Sequence, residues 1–138
     1  MTARAFACLT VLAAGCGPPP TGLDLSTWSI AALDPVSGDV GVAVASCVPN
    51  AHADAVAALV PGVGVAVTQA RWHLGNRNRV YEALIDGIQA EAIIDSVANP
   101  EADAELGYRQ YGVVTLTRDA VGIAGFTGDS TPGWSGVA

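Results

Sequence analysis

Thr27-Trp28-Ser29-Ile30-Ala31-Ala32-Leu33-Asp34-Pro35-Val36-Ser37-Gly38-Asp39-Val40-Gly41-Val42-Ala43-Val44-Ala45-Ser46 contains two apolar runs around a compact polar turn. Pro35 fixes its own φ and Gly38 is free to take a positive one, so Asp34 to Asp39 is strong turn chemistry. Beyond the turn, Val40, Val42 and Val44 alternate with Gly41, Ala43 and Ala45, the two-residue period of a strand. Strand, turn, strand predicts a hairpin. One face of its second strand is branched and the other small, and the small face suits a closely packed covering element.

On the C-terminal side, Ala53 to Leu59 reads as a short helix stopped by Pro61, and Gly64 to Gln69 as a further strand. Asn76 to Asp86 is helical, with Asn76 as the cap. Val80, Ala83, Leu84 and Ile88 lie on one face and Gly87 ends it. Ala90 to Ala98 forms a second helix with Ile93, Ile94 and Val97 inward. Asn99-Pro100-Glu101 offers a cap, a first-turn proline and a first-turn acid, which predicts a third short helix to about Leu106. Tyr111 to Thr117 and Val121 to Thr127 are two more strands. Five strands, with helices between the early and late ones, make an α+β layered domain.

On the N-terminal side, Ala5 to Ala14 is an apolar or small-residue run behind Arg4, without acidic residues. It is too short to span a bilayer, which takes about 20 residues, and it suits the core of a signal peptide. It ends in Leu12-Ala13-Ala14-Gly15-Cys16, which resembles a lipobox with Cys16 as the lipid attachment site. The expected organisation is a lipoprotein signal peptide at 1–16, a Pro/Gly-rich spacer at 17–26 and one domain at 27–138. This makes an exported lipoprotein of the bacterial cell envelope, held to the membrane by its lipid anchor. On this reading Cys8 leaves with the signal peptide and Cys47 stays in the fold as a lone thiol. Thirteen acidic residues face six arginines and no lysine, a formal charge of −7. That balance argues against a nucleic-acid partner.

Phosphate-loop, zinc-protease, paired CxxC and GxSxG motifs are absent from the sequence. Other residues carry a resemblance. Thr27 to Pro35, Ser37-Gly38, Gly41 to Ser46, Val60-Pro61, Gly62 to Ala70, Arg109 to Val114, Phe126-Thr127-Gly128 and Trp134-Ser135-Gly136 together resemble the DUF1028 family, in the family's order, from Thr27 to Gly136. The resemblance implies an Ntn-hydrolase-like αββα layered sandwich. Family members usually continue beyond the step that Trp134-Ser135-Gly136 resembles, so it also implies a domain incomplete at its C-terminus.

The family's opening threonine corresponds to Thr27. Set at a chain terminus, a threonine supplies both nucleophile and base: its hydroxyl attacks a carbonyl while its own α-amine, with a pKa near neutrality, takes the proton. The oxyanion then needs aimed donors. Thr68 and Gln69, ending a neighbouring strand, are candidates to line such a site, with Asp34, Ser46, Asn50 and Arg109 behind them. This implies an Ntn-type amidohydrolase acting on a peptide or cell-wall amide, with no cofactor and no metal. The alternative is a non-catalytic envelope lipoprotein, or a truncated binding module of the same fold. Each candidate also has a plainer role. Thr27 is a β-favouring residue at a strand start, Thr68 and Gln69 are strand-end hydrogen-bonders, and Asp34 caps its own turn. Cys47 near His52 suggests a thiol and base, although a small buried cysteine is commoner. His52 and Asp54 supply two metal-ligand types without a third.

Overall fold

The computed structural model describes residues 27–50, 52–118, 120–131 and 135–136. The expected signal peptide, spacer and Cys16 lie outside them. Among the described residues, six strands and two α-helices follow in the order β1 (Thr27–Leu33), β2 (Val40–Ser46), β3 (Ala57–Val60), β4 (Gly64–Ala70), α1 (Leu74–Ile85), α2 (Ala90–Val97), β5 (Arg109–Leu116) and β6 (Val121–Thr127). They form a two-stranded antiparallel sheet, β1-β2, and a four-stranded antiparallel sheet in the order β3-β4-β5-β6. The α+β class and the opening hairpin agree with the sequence, and Thr27 pairs with Ser46 across that hairpin.

The side-chain period of two builds the layers. On one face of the large sheet, Ala58, Ala66, Tyr111 and Val113 pack with Val80 and Leu84 of α1 and with Ile93, Ile94 and Val97 of α2. On the other face, Val65, Val67 and Gln69 of β4 stand opposite Val114, Gly112 and Gln110 of β5. The small sheet covers that second face, β2 over β3 and β4, and β1 over β4 and β5. Each buried branched side chain removed from water contributes roughly 1.5–3 kcal/mol, so these two interlayer spaces hold the domain together. The hairpin turn is tied to the next one, with the Gly62 N–H donating to the Gly38 carbonyl at 2.8 Å. Gly38 sits there at φ +77°, a conformation that costs a residue with a Cβ.

Several expectations are corrected. Ala57–Val60 is a strand rather than the end of a helix. Only Ala53–Val56 turns, as a 3-10 segment, because the tight turn at Pro61–Val63 folds β3 directly onto β4, giving six strands rather than five. His73, not Asn76, caps α1: its Nδ1 accepts the Asn76 N–H at 3.3 Å. The third helix is replaced by turns and a 3-10 segment at Leu106–Tyr108. There Asn99 Oδ1 accepts from the Glu101 N–H and Asp103 Oδ1 from the Glu105 N–H, local bonds that compete with helix formation. The small face of β2, Gly41, Ala43 and Ala45, is exposed, and its valine face turns inward.

Candidate functional site

Two polar clusters sit on opposite faces of the large sheet, and β5 feeds both. Alternation sends the Gln110 side chain toward the small sheet and Arg109 and Tyr111 toward the helices.

The first cluster lies between the sheets and is neutral. Thr27 starts β1, with its Oγ1 3.0 Å from Ser46 Oγ on the paired strand. Ser29, two residues along and on the same face, donates from Oγ to Gln69 Oε1 at 2.6 Å. Gln69 Nε2 donates to the Thr27 carbonyl at 3.1 Å and to Gln110 Oε1 at 2.7 Å. Gln110 Nε2 in turn donates to Thr127 Oγ1 at 3.2 Å and to the Gly136 carbonyl at 2.8 Å. Both glutamine side chains are 9% exposed, and each has its oxygen and both amide hydrogens engaged. An unpaired amide would cost roughly 1–3 kcal/mol at such a position. A hollow of about 390 Å³ is lined by Asp103, Leu106, Phe126, Thr127 and Asp129.

Of the residues singled out from sequence, Thr27, Gln69 and Ser46 are brought together. Thr68 is not: it points to the helical side, where its Oγ1 donates to the Val56 carbonyl at 3.3 Å. Consecutive strand residues face opposite ways, so Thr68 and Gln69 cannot line one site. Asp34 caps its turn, Oδ1 accepting from the N–H groups of Val36 and Ser37. Cys47 is disulfide-bonded, which corrects its reading as a lone thiol and removes it as a nucleophile for His52. Trp72 Nε1 donates to the Ala55 carbonyl in the 3-10 turn, and Arg77 Nε to the Ala57 carbonyl at the start of β3. Ser29, Gln110 and Thr127 were not singled out. A signal existed: each is a polar residue on the inward period of a strand that is otherwise small or apolar.

The second cluster is charged. Arg109, only 4% exposed, donates from Nε to Asp103 Oδ2 at 2.7 Å and from Nη2 to Glu105 Oε2 at 3.2 Å. Its Nη1 donates to the Arg71 carbonyl. Asn76 Nδ2 donates to Asp103 Oδ2 at 2.6 Å and to Tyr111 Oη at 2.7 Å. The hydrogen bond from Arg109 holds the Asp103 carboxyl well below the usual carboxylate range, against the opposing effect of burial. The same bond raises Arg109, and burial pushes the Tyr111 phenol up. Arg109 therefore belongs to a clamp joining α1, the segment before β5 and β5 itself, on the far side of the sheet from Thr27. Close packing continues beside it at Gly128, where a Cβ would collide with the Gly107 carbonyl.

Residues 27–138 match the model of a family described as a family of unknown function, DUF1028. The chain belongs to that family. No curated protein and no solved structure matches it.

Proposed function

We propose that this protein is an exported amidohydrolase of the Ntn type, with Thr27 as nucleophile once a cut before it exposes its α-amine. The observation that carries the reading is the setting of Thr27. It stands at the first position of β1, between two sheets, with its hydroxyl on Ser46 and its carbonyl held by Gln69. Sheets stacked face to face, with a threonine at the start of β1, are compatible with an Ntn-hydrolase-like sandwich. In the reaction the free amine takes the Thr27 hydroxyl proton as Oγ1 attacks an amide carbonyl. The same proton then goes to the leaving amine, and water hydrolyses the resulting ester. Ser46 orients Oγ1. The amide groups of Gln69 and Gln110 are the nearby donors that could be re-aimed at an oxyanion, at the expense of their present bonds. The substrate class is a peptide or cell-wall amide.

Export is supported by the apolar run from Ala5 to Ala14 behind Arg4, which suits the core of a signal peptide. Lipid attachment at Cys16 goes with a second reading, because the cut that exposes the Thr27 amine removes Cys16 from the domain. The chain has three cysteines, and a sulfur carrying a lipid thioether cannot also join a disulfide. Loss of Cys8 with the leader therefore makes a Cys16 lipid and an intrachain Cys47 disulfide mutually exclusive. The second reading, a non-catalytic envelope lipoprotein, is favoured by the ten residues from Gly17 to Ser26 that separate Cys16 from Thr27. A chain beginning at acylated Cys16 keeps the Thr27 nitrogen in a peptide bond.

Intact-mass and N-terminal analysis of the mature protein, with and without reduction, decides between them. A Thr27 start, together with amide hydrolysis that Thr27→Ala abolishes, is the expected result. Only chains starting at Cys16, or full activity in Thr27→Ala, would remove the hydrolase reading.

A further inference from the structure

The opening hairpin sets two hydroxyls against each other. Its register makes Thr27 and Ser46 directly opposite partners at the open end of the two strands, and their Oγ atoms lie 3.0 Å apart. Either oxygen of such a pair can carry the bridging proton, so the distance alone leaves the direction of the bond open. A third contact decides it. The Val48 N–H, two residues beyond Ser46, donates to Ser46 Oγ at 3.2 Å, a local side-chain-to-backbone bond that serine readily makes in turns.

A hydroxyl has one proton and two lone pairs. If Thr27 donated to Ser46, both lone pairs of Ser46 Oγ would be filled. Its own proton would then meet no acceptor among the described residues, because the contacts of that oxygen there are Thr27 and the Val48 N–H. With Ser46 as the donor, its proton and one lone pair are both engaged. The bond received from Val48 also polarises the Ser46 O–H, which makes it the stronger donor of the two.

We propose that Ser46 is a positioning residue that donates to Thr27 Oγ1, with the Val48 N–H fixing that direction. The role rests on Thr27 as nucleophile. Donation from Ser46 leaves the Thr27 proton outside the pair, where an exposed α-amine can take it. It also occupies one lone pair of Oγ1 and so holds the side chain in one rotamer. The opposite direction would tie the Thr27 proton to Ser46 and set the amine in competition for it. As Oγ1 loses its proton it gains negative charge, and a hydrogen bond to a charged oxygen is stronger than one to a neutral hydroxyl.

Neutron diffraction from deuterated crystals of the mature protein reads the direction, whatever residue the chain starts with. The expected result is a deuteron on Ser46 Oγ aimed at Thr27 Oγ1. A deuteron on Thr27 Oγ1 aimed at Ser46 overturns the proposal. This measurement needs no variant, so it stands even if a substitution at Ser46 fails to fold. The positioning role is read with a small β-lactone as acylating probe. Thr27 Oγ1 forms an ester with the lactone carbonyl as the ring C–O bond breaks, and the hydroxyl proton passes through the α-amine to the ring oxygen. Ser46→Ala should lower the maximal acylation rate by roughly tenfold or more, with little change in the lactone concentration that gives half of it. Ser46→Thr keeps a hydroxyl and should restore most of the rate. If Ser46→Ala lowers only the melting temperature and acylates at the wild-type rate per folded molecule, the positioning role is overturned. A wild type that takes no label at Thr27 overturns the hydrolase reading and the positioning role with it, while the deuteron still decides the direction of the bond.

Discussion

Arg109 and Gln110 are neighbours on β5, yet they serve opposite faces of the sheet with different chemistry. Arg109 is nearly buried and charged, bonded to Asp103 and Glu105. Gln110 is equally enclosed and neutral, one link in a chain running from Ser29 through Gln69 to Thr127. On the helical side a charged clamp fixes where α1 and the loop before β5 dock. Between the sheets, every group in the described network is a hydroxyl, an amide or a main-chain carbonyl. The clamp is built for stability, and the neutral chain can rearrange its bonds without stranding a charge.

Breaking the clamp should have the largest effect on stability. Arg109→Met leaves Asp103 buried without its main partner and is expected to cost about 3–5 kcal/mol, read by urea denaturation. A loss below about 1 kcal/mol would show that the clamp is ornamental. Asp103→Asn is milder, at about 1.5–3 kcal/mol near neutral pH, and it has a pH signature. The hydrogen bond from Arg109 holds the Asp103 carboxyl well below its ordinary value of 3.8 in the folded protein. Its contribution is therefore complete above the unfolded pKa and is lost as pH falls through the folded one. The wild type should lose stability below about pH 4, and Asp103→Asn should flatten that acid limb; parallel acid limbs for the two proteins would contradict this.

The neutral chain should answer more weakly. Gln69→Leu leaves Ser29 Oγ, the Thr27 carbonyl and Gln110 Oε1 each short of a partner, for about 1–2 kcal/mol, with no change in the acid limb. A new pH dependence in that variant would show that the two faces are coupled. Thr27→Ala should be the smallest perturbation, within about 1 kcal/mol by thermal unfolding, while eliminating the proposed hydrolysis. A large stability loss there would make Thr27 a structural residue.

Much of this arrangement could be read in advance from local pattern. The β1–β2 hairpin follows from Asp34 to Asp39 and the valine alternation, and the inward Val80 and Leu84 of α1 and Ile93, Ile94 and Val97 of α2 from helical spacing. Ile88, expected on the same face, instead lies past α1 and is exposed. Membership of the family followed from short segments in a fixed order. The failures have local causes. Ala57–Val60 is too short to show a period, so its pairing with β4, not its composition, makes it a strand. Asn99 and Asp103 are good helix-start residues that spend their side chains on turn bonds instead. Thr68 and Gln69 looked equivalent as neighbours at a strand end, but alternation separates them.

The sequence by itself determined the class of the domain, its opening hairpin and the presence of a threonine at the head of β1, because turns, side-chain periods and residue types are local properties. Only the tertiary structure decided which polar residues meet. Ser29, Gln69 and Gln110 are joined by hydrogen bonds spanning 40 and 41 positions of chain, and Arg109 finds Asp103 because β5 places it on the helical face. Such contacts depend on how the sheets stack, and no local window of residues encodes that.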